Sequence, residues 1–204
     1  ADGEQEHGEE HGLHLRRDIK TELADEHAGE QGAGHRAERE LADIVLLDVA
    51  EGLPQGKSLD LLQAMPIIGK DTQVVGTNDY AATRGSDIII ITAGIARKPG
   101  MSRDDLLKTN AEIVGKAATE TLKHSPDAIF IVLTNPLDTM AYLTMKTTRL
   151  PRERVIGQAG ILDSARMRAF VAMESGVSVE HIQCYVLGGH GDERSTQPIG
   201  PAWA

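Results

Sequence analysis

The chain has little that would brace it covalently or anchor it in a lipid layer. Its single cysteine, Cys184, excludes an internal disulfide and fits a reducing compartment such as the cytoplasm. No apolar run approaches the ~18 residues that a membrane-spanning helix requires. The N-terminus is acidic, so it resembles neither a secretory signal nor a basic transit peptide. Basic side chains are the minority: 21 Lys and Arg stand against 31 Asp and Glu, and the formal net charge of −10 argues against nonspecific nucleic-acid binding. Internal repeats are absent. The 204 residues, 40% of them hydrophobic, suffice for one domain and part of another.

The deficits are concentrated at one end. Residues 1–40 have no aromatic side chain and carry 12 of the 31 acidic residues, so about −7 of the net −10 lies there. Such a run has too little apolar surface to offset the entropy of ordering it, and it reads as an acidic, disordered, atypical segment. His7, His11 and His14 could gather weakly around a metal if this stretch were helical, but a solvated tail fits the composition better and no metal site is assigned.

Beyond residue 40 the pattern changes to short apolar runs separated by amphipathic stretches. Strands are predicted over 43–48, 72–76, 87–92, 128–133, 154–157 and 181–187, with helices over 55–64, 103–123, 137–147 and 162–175. That alternation defines an α/β protein whose first part holds mainly parallel strands.

Three constellations carry chemistry. The first is Gly188-Gly189-His190-Gly191-Asp192, read with Asp163 and Arg166. Histidine is the one side chain whose unperturbed pKa lies near neutrality, and the flanking glycines leave room for a reacting molecule. Asp163 can orient the ring and favour its protonated form, while Arg166 offers a two-pronged donor to a carboxylate. Helical spacing sets Asp163 and Arg166 one turn apart. The plainer alternative is a turn histidine beside an ordinary surface ion pair.

The second is the run Thr92 to Arg103, a strand end opening into a Gly/Pro-containing basic loop. Arg97 and Arg103 could close over an anion and expel water. Equally, this is a solvated loop before a helix that Ser102 and Asp105 would cap. The third is Ile129 to Pro136, a buried parallel strand whose carboxyl end turns at Asn135-Pro136, where open α/β sheets bind ligands.

From about Leu41 to Asp192 these motifs, with Asp43–Asp48, Pro54-Gln55-Gly56, Asn135-Pro136-Leu137-Asp138, Val155-Ile156-Gly157 and Leu162 to Arg166, stand in an order that resembles the lactate/malate dehydrogenase family, lactate-dehydrogenase-like group. The resemblance implies an incomplete doubly wound, Rossmann-like parallel sheet followed by the beginning of an α+β substrate domain. It divides the chain into the atypical segment 1–40, a partial NAD-binding domain over 41–157, and the start of a truncated catalytic domain over 158–204.

Residue by residue, it makes His190 the proton donor and acceptor, with Asp163 as its partner. Arg166 would bind the carboxylate common to the family's substrates. Arg97 would pair with a second carboxylate, as in the malate branch, where the lactate branch has a neutral Gln. Arg103 would polarise the carbonyl and Asn135 would contact substrate and nicotinamide. Asp48, Asn110, Leu133 and Thr134 would line the cofactor, with Asp48 on the adenine-ribose diol favouring NAD. The implied reaction is reversible NAD-dependent oxidation of (S)-malate to oxaloacetate, by a chain that if intact would form a homo-oligomer, a dimer or a tetramer, with no nucleic-acid or membrane partner. Lactate dehydrogenase is the rival enzyme. An inactive fragment acting at most as a subunit-binding protein is the rival outside catalysis.

The resemblance also exposes what is missing. A dinucleotide fold opens on an apolar strand and a G-x-G-x-x-G turn about 20 residues before the acidic residue. Neither is recognisable in residues 1–40, so the strand that should lie between those at 43–48 and 87–92 is expected to be lost. Gly32-Ala33-Gly34 receives no phosphate-binding role. After Asp192 the pattern breaks again, and shifted reading frames at both ends are the expectation.

Overall fold

The computed structural model describes residues 19–23, 42–96 and 99–190, the first stretch in its backbone only. Six strands, β1 (Ile19–Leu23), β2 (Asp43–Leu47), β3 (Val74–Thr77), β4 (Ile88–Ile91), β5 (Ile129–Val132) and β6 (Val155–Gly157), form one sheet in the order β3-β2-β1-β4-β5-β6. Every pairing is parallel. The chain builds outward from β1 to β3, then crosses to β4 and builds outward to β6. This is the doubly wound order, with its topological switch at the β1/β4 junction.

The sequence reading is corrected at β1. Ile19–Leu23 occupies the central position expected to be vacant, pairing with β2 from Ile19↔Asp43 to Leu23↔Leu47 and with β4 from Lys20↔Ile88 to Leu23↔Ile91. The physical reason lies outside the pentapeptide. A slot between two parallel strands offers two hydrogen-bond ladders at once, and that context outweighs a weak local strand signal.

The strands on either side show why a central sheet forms. Asp43-Ile44-Val45-Leu46-Leu47 and Ile88 to Ile91 are nearly unbroken apolar runs, the mark of strands covered on both faces. Successive side chains of β2 point to opposite faces. Ile44 and Leu46 meet Val74 and Met65 beneath helix α1 (Leu53–Ile68), whereas Leu47 joins Ile89, Ile91, Phe130 and Val132 on the other side. That second core is closed by Val114, Ala117 and Ala118 of α2 (Arg103–His124) and by Leu137 and Met140 of α3 (Leu137–Thr148).

Helix α1 is longer than its predicted 55–64. Pro54 fits the first turn, and Gly69 at φ 67° ends the helix in the left-handed conformation that glycine adopts at low cost. Gly76 of β3 allows α1 to dock: a Cβ there would lie 2.0 Å from the Pro54 carbonyl oxygen. The other predicted helices match α2, α3 and α4 (Gly160–Ser175) to within two residues at each end.

The strand predicted over 181–187 is not formed. A short 3-10 turn spans Val179–His181, Ile182 beyond it is extended, and the described chain from there forms no ladder. Burial still alternates from Ile182 to Leu187 as in a strand, but among the described residues no strand pairs with it. Alternation specifies a half-covered ribbon; a ladder needs a second strand. No described helix is long and apolar enough to cross a membrane.

Candidate active site

The carboxyl ends of the parallel strands converge on one edge, where doubly wound sheets bind their ligands. Asp48 directly follows β2 there. Its Oδ1 accepts the Ala50 N–H at 2.8 Å, so the carboxylate is held by its own turn. Asn78 braces that turn by donating from Nδ2 to the carbonyls of Asp48 and Ala50 at 2.8 and 2.9 Å, and Gln55 Nε2 donates in turn to Asn78 Oδ1 at 2.6 Å. The sequence reading missed Asn78. Its signal was its position at the end of β3, in the Thr77-Asn78-Asp79 turn.

Across the switch point, Asn110 on α2 is buried and ties two strand-end loops together. Its Oδ1 accepts the Ile95 N–H at 2.8 Å and its Nδ2 donates to the Asn135 carbonyl at 2.8 Å. The amide is therefore committed to backbone, and Asn110 sits behind the edge rather than on it. Thr134 donates to the Ala93 carbonyl at 2.7 Å, and the Leu133 N–H extends the β5 ladder to the Ile91 carbonyl at 2.9 Å. A Cβ on Gly94 would meet Thr134 Cγ2 at 2.7 Å, so the two loops pack backbone to side chain. Asn135 remains exposed at the end of β5.

Helix α2 begins beside this edge. Ser102 caps it: its Oγ accepts the Asp105 N–H at 3.1 Å while Asp105 Oδ2 accepts the Ser102 N–H at 3.2 Å, a reciprocal capping box. The Ser102 side-chain bond, then its backbone bond, hold the Asp105 carboxyl below its ordinary value of 3.8. A carboxylate with a lowered folded-state pKa stabilises the fold above its unfolded pKa and loses that contribution as pH falls through the folded value. Ser102→Ala is therefore expected to lower the melting temperature most near neutrality, and the gap from wild type should narrow in acid. A gap independent of pH in melting curves would contradict this. Arg103 is the first residue of α2 but is described in its backbone only, and Arg97 lies outside the described residues.

On the β6 side, α4 presents Asp163 and Arg166 towards the returning chain. Asp163 lies between a guanidinium and an imidazole: Arg166 Nη1 is 3.5 Å from Oδ1, and the ring edge of His190 carrying Nε2 is 3.8 Å from Oδ2. The side chains of Asp163 and His190 are 13% and 23% exposed, against 62% for Arg166, so the pair is sheltered and the guanidinium stands at the rim. The His–Asp separation exceeds a hydrogen bond, and catalytic contacts commonly tighten only with substrate in place. These residues line a cavity of about 490 Å³ with Asp138, Phe170 and Leu187 on its wall. Three side chains whose contacts the sequence reading missed hold the returning segment through four hydrogen bonds. Arg168 donates to the carbonyls of Ile182 and Val179 at 3.0 and 2.9 Å, Ser164 Oγ accepts the Val186 N–H at 2.9 Å, and Asp138 Oδ2 accepts the His190 N–H at 2.7 Å. Ser164 and Asp138 lay inside recognised motifs, but their partners are far away in sequence.

Among the described residues, no group of His, Cys, Asp and Glu is placed to hold a metal. A sheet whose strand order reverses beside β1, with a carboxylate at the end of β2 and a His–Asp–Arg cluster at the β6 side, defines an α/β protein of the doubly wound, dinucleotide-binding class. Residues 27–157 match the lactate/malate dehydrogenase NAD binding domain, and residues 161–199 match the alpha/beta C-terminal domain of the same enzymes. A malate dehydrogenase from Desulforudis audaxviator is 60% identical over 156 residues, covering 76% of this chain and 50% of that protein. The malate dehydrogenase structure from Salinibacter ruber superposes with a TM-score of 0.79 at 43% identity, covering 85% of this chain and 55% of the other. A Cryptosporidium parvum lactate dehydrogenase, solved with lactic acid and nicotinamide adenine dinucleotide, gives 0.82 at 42% identity, covering 87% and 56%.

The chain belongs to the lactate/malate dehydrogenase family and carries its NAD binding domain. It spans about half the length of the curated relatives it matches, 50% and 55% for two of them.

Proposed function

We propose that this chain catalyses, or supplies the catalytic residues for, reversible NAD-dependent oxidation of malate to oxaloacetate. The observation that carries the reading is the placement of Asp163 between His190 and Arg166 on the wall of one cavity. His190 takes the proton of the C2 hydroxyl during oxidation and returns it during reduction. Asp163 orients the imidazole and stabilises its charged form. Arg166, exposed at the rim, binds the carboxylate next to the reacting carbon. The residues at the sheet edge fit the cofactor: Asp48 is a carboxylate acceptor suited to a ribose diol, and Asn135 is exposed at the strand end beside the switch point. Bound NAD supplies the hydride acceptor.

Malate is favoured over lactate by the identity of Arg97, a cation where the lactate branch has a neutral side chain, and the curated relatives at 60% and 55% identity are malate dehydrogenases. Arg97 pairs with the second carboxylate and Arg103 polarises the carbonyl. The test is NADH oxidation by the purified chain with oxaloacetate, with pyruvate as the competing substrate. Oxaloacetate turnover well above pyruvate turnover supports the reading, and no turnover in a folded sample refutes it. Arg97→Gln should lower kcat/KM for oxaloacetate by about 10- to 100-fold, the value of one charged hydrogen-bonded contact, and shift preference towards pyruvate. Unchanged preference would remove the argument for a dicarboxylate.

A further inference from the structure

The motif Asn135-Pro136-Leu137-Asp138 contributes more to the site than Asn135. Asp138 is the second residue of α3, where the helix N-terminus favours a carboxylate. Its Oδ2 accepts the backbone N–H of His190 at 2.7 Å, bridging 52 residues of sequence. The chain reaches it closely: a Cβ on Gly189 would stand 3.2 Å from the same oxygen, so glycine leaves the carboxylate its place. Asp138 also lines the cavity with Asp163, Arg166 and His190.

We propose that Asp138 is a positioning residue for His190, fixing the main chain that carries the imidazole while Asp163 fixes the ring. The inference rests on the acid–base reading of His190 given above. The two anchors are independent. Arg168 and Ser164 moor the returning segment at Val179, Ile182 and Val186, all upstream of His190, and Asp138 alone among the bonds described reaches His190 from the strand-end side of the sheet. Removing that bond takes away the hold of α3 on the His190 main chain. A displacement of ~1 Å at a catalytic group costs on the order of 10²-fold in rate.

The variants that test this are Asp138→Ala, which removes the acceptor, and Asp138→Asn, which keeps an acceptor oxygen but discards the charge. The first readout is hydrogen exchange of the His190 amide in ¹⁵N-histidine-labelled protein, with the signal assigned through His190→Gln. Exchange should accelerate at least tenfold in Asp138→Ala and stay near wild type in Asp138→Asn, while amides of the β4 core keep their protection in both. The second readout is oxaloacetate reduction: kcat should fall about 10- to 100-fold in Asp138→Ala with KM little changed, and Asp138→Asn should restore most of it. Unchanged His190 exchange in Asp138→Ala overturns the proposal. So does an Asn variant as impaired as the Ala variant, which would make charge rather than the hydrogen bond the active property. If the wild-type chain shows no turnover, the enzymatic reading fails, and the exchange data still decide whether Asp138 holds His190.

Discussion

Replacing His190 with alanine is expected to lower oxaloacetate-dependent NADH oxidation by on the order of 10²- to 10⁴-fold, the range contributed by a positioned general acid or base. Histidine is the one side-chain type on the cavity wall whose ring nitrogens can serve both as proton acceptor and as proton donor, and Asp163 lies beside it with Arg166 beyond. His190 lies on an irregular segment outside both hydrophobic clusters, so the same substitution should leave the melting temperature within a degree or two of wild type. Kinetics and a thermal melt on one preparation separate the two effects. Turnover within tenfold of wild type, in a variant that melts normally, would remove His190 from the reaction.

The largest effect on stability is expected at Phe130. Phe130→Ala should destabilise the fold by about 3–5 kcal/mol. The side chain is fully buried, and its strand is flanked on both sides, Phe130 pairing with Ile89 and with Val155. It packs in the cluster that contains Val114, Ala117 and Ala118 of α2 and Met140 of α3, so a cavity there borders the helices that carry Asn110 and Asp138. With total stabilities of about 5–15 kcal/mol for globular proteins, a loss of this size is a large fraction of the whole. Ile129, the neighbouring residue pointing to the other face, is 38% exposed and serves as the control, with a smaller expected cost on truncation. Equal urea midpoints for the two alanine variants would contradict the assignment of the core.

Much of the site could be read without coordinates because its chemistry is local. Asp163 and Arg166 are one helical turn apart, and the capping box of Ser102 and Asp105 spans four consecutive residues; both are present in the structure. The runs of β2, β4 and β5 were legible because strands covered on both faces must be apolar throughout. The contacts that hold His190 were not legible. The Asp138 bond crosses 52 residues and the Ser164 bond crosses 22, and no periodicity encodes which distant backbone group a carboxylate or hydroxyl will meet.

The two strand errors point the same way. Ile182 to Leu187 alternates like a strand yet forms no ladder among the described residues, while Ile19–Leu23 sits in an acidic segment and holds the centre of the sheet. By itself, the sequence determined the residue types, the alternation of strands and helices, and the family. Only the tertiary structure decided which segments pair and which distant groups meet at the cavity. A strand exists only when neighbours complete its hydrogen bonds, and a catalytic cluster exists only when separate elements are packed in register.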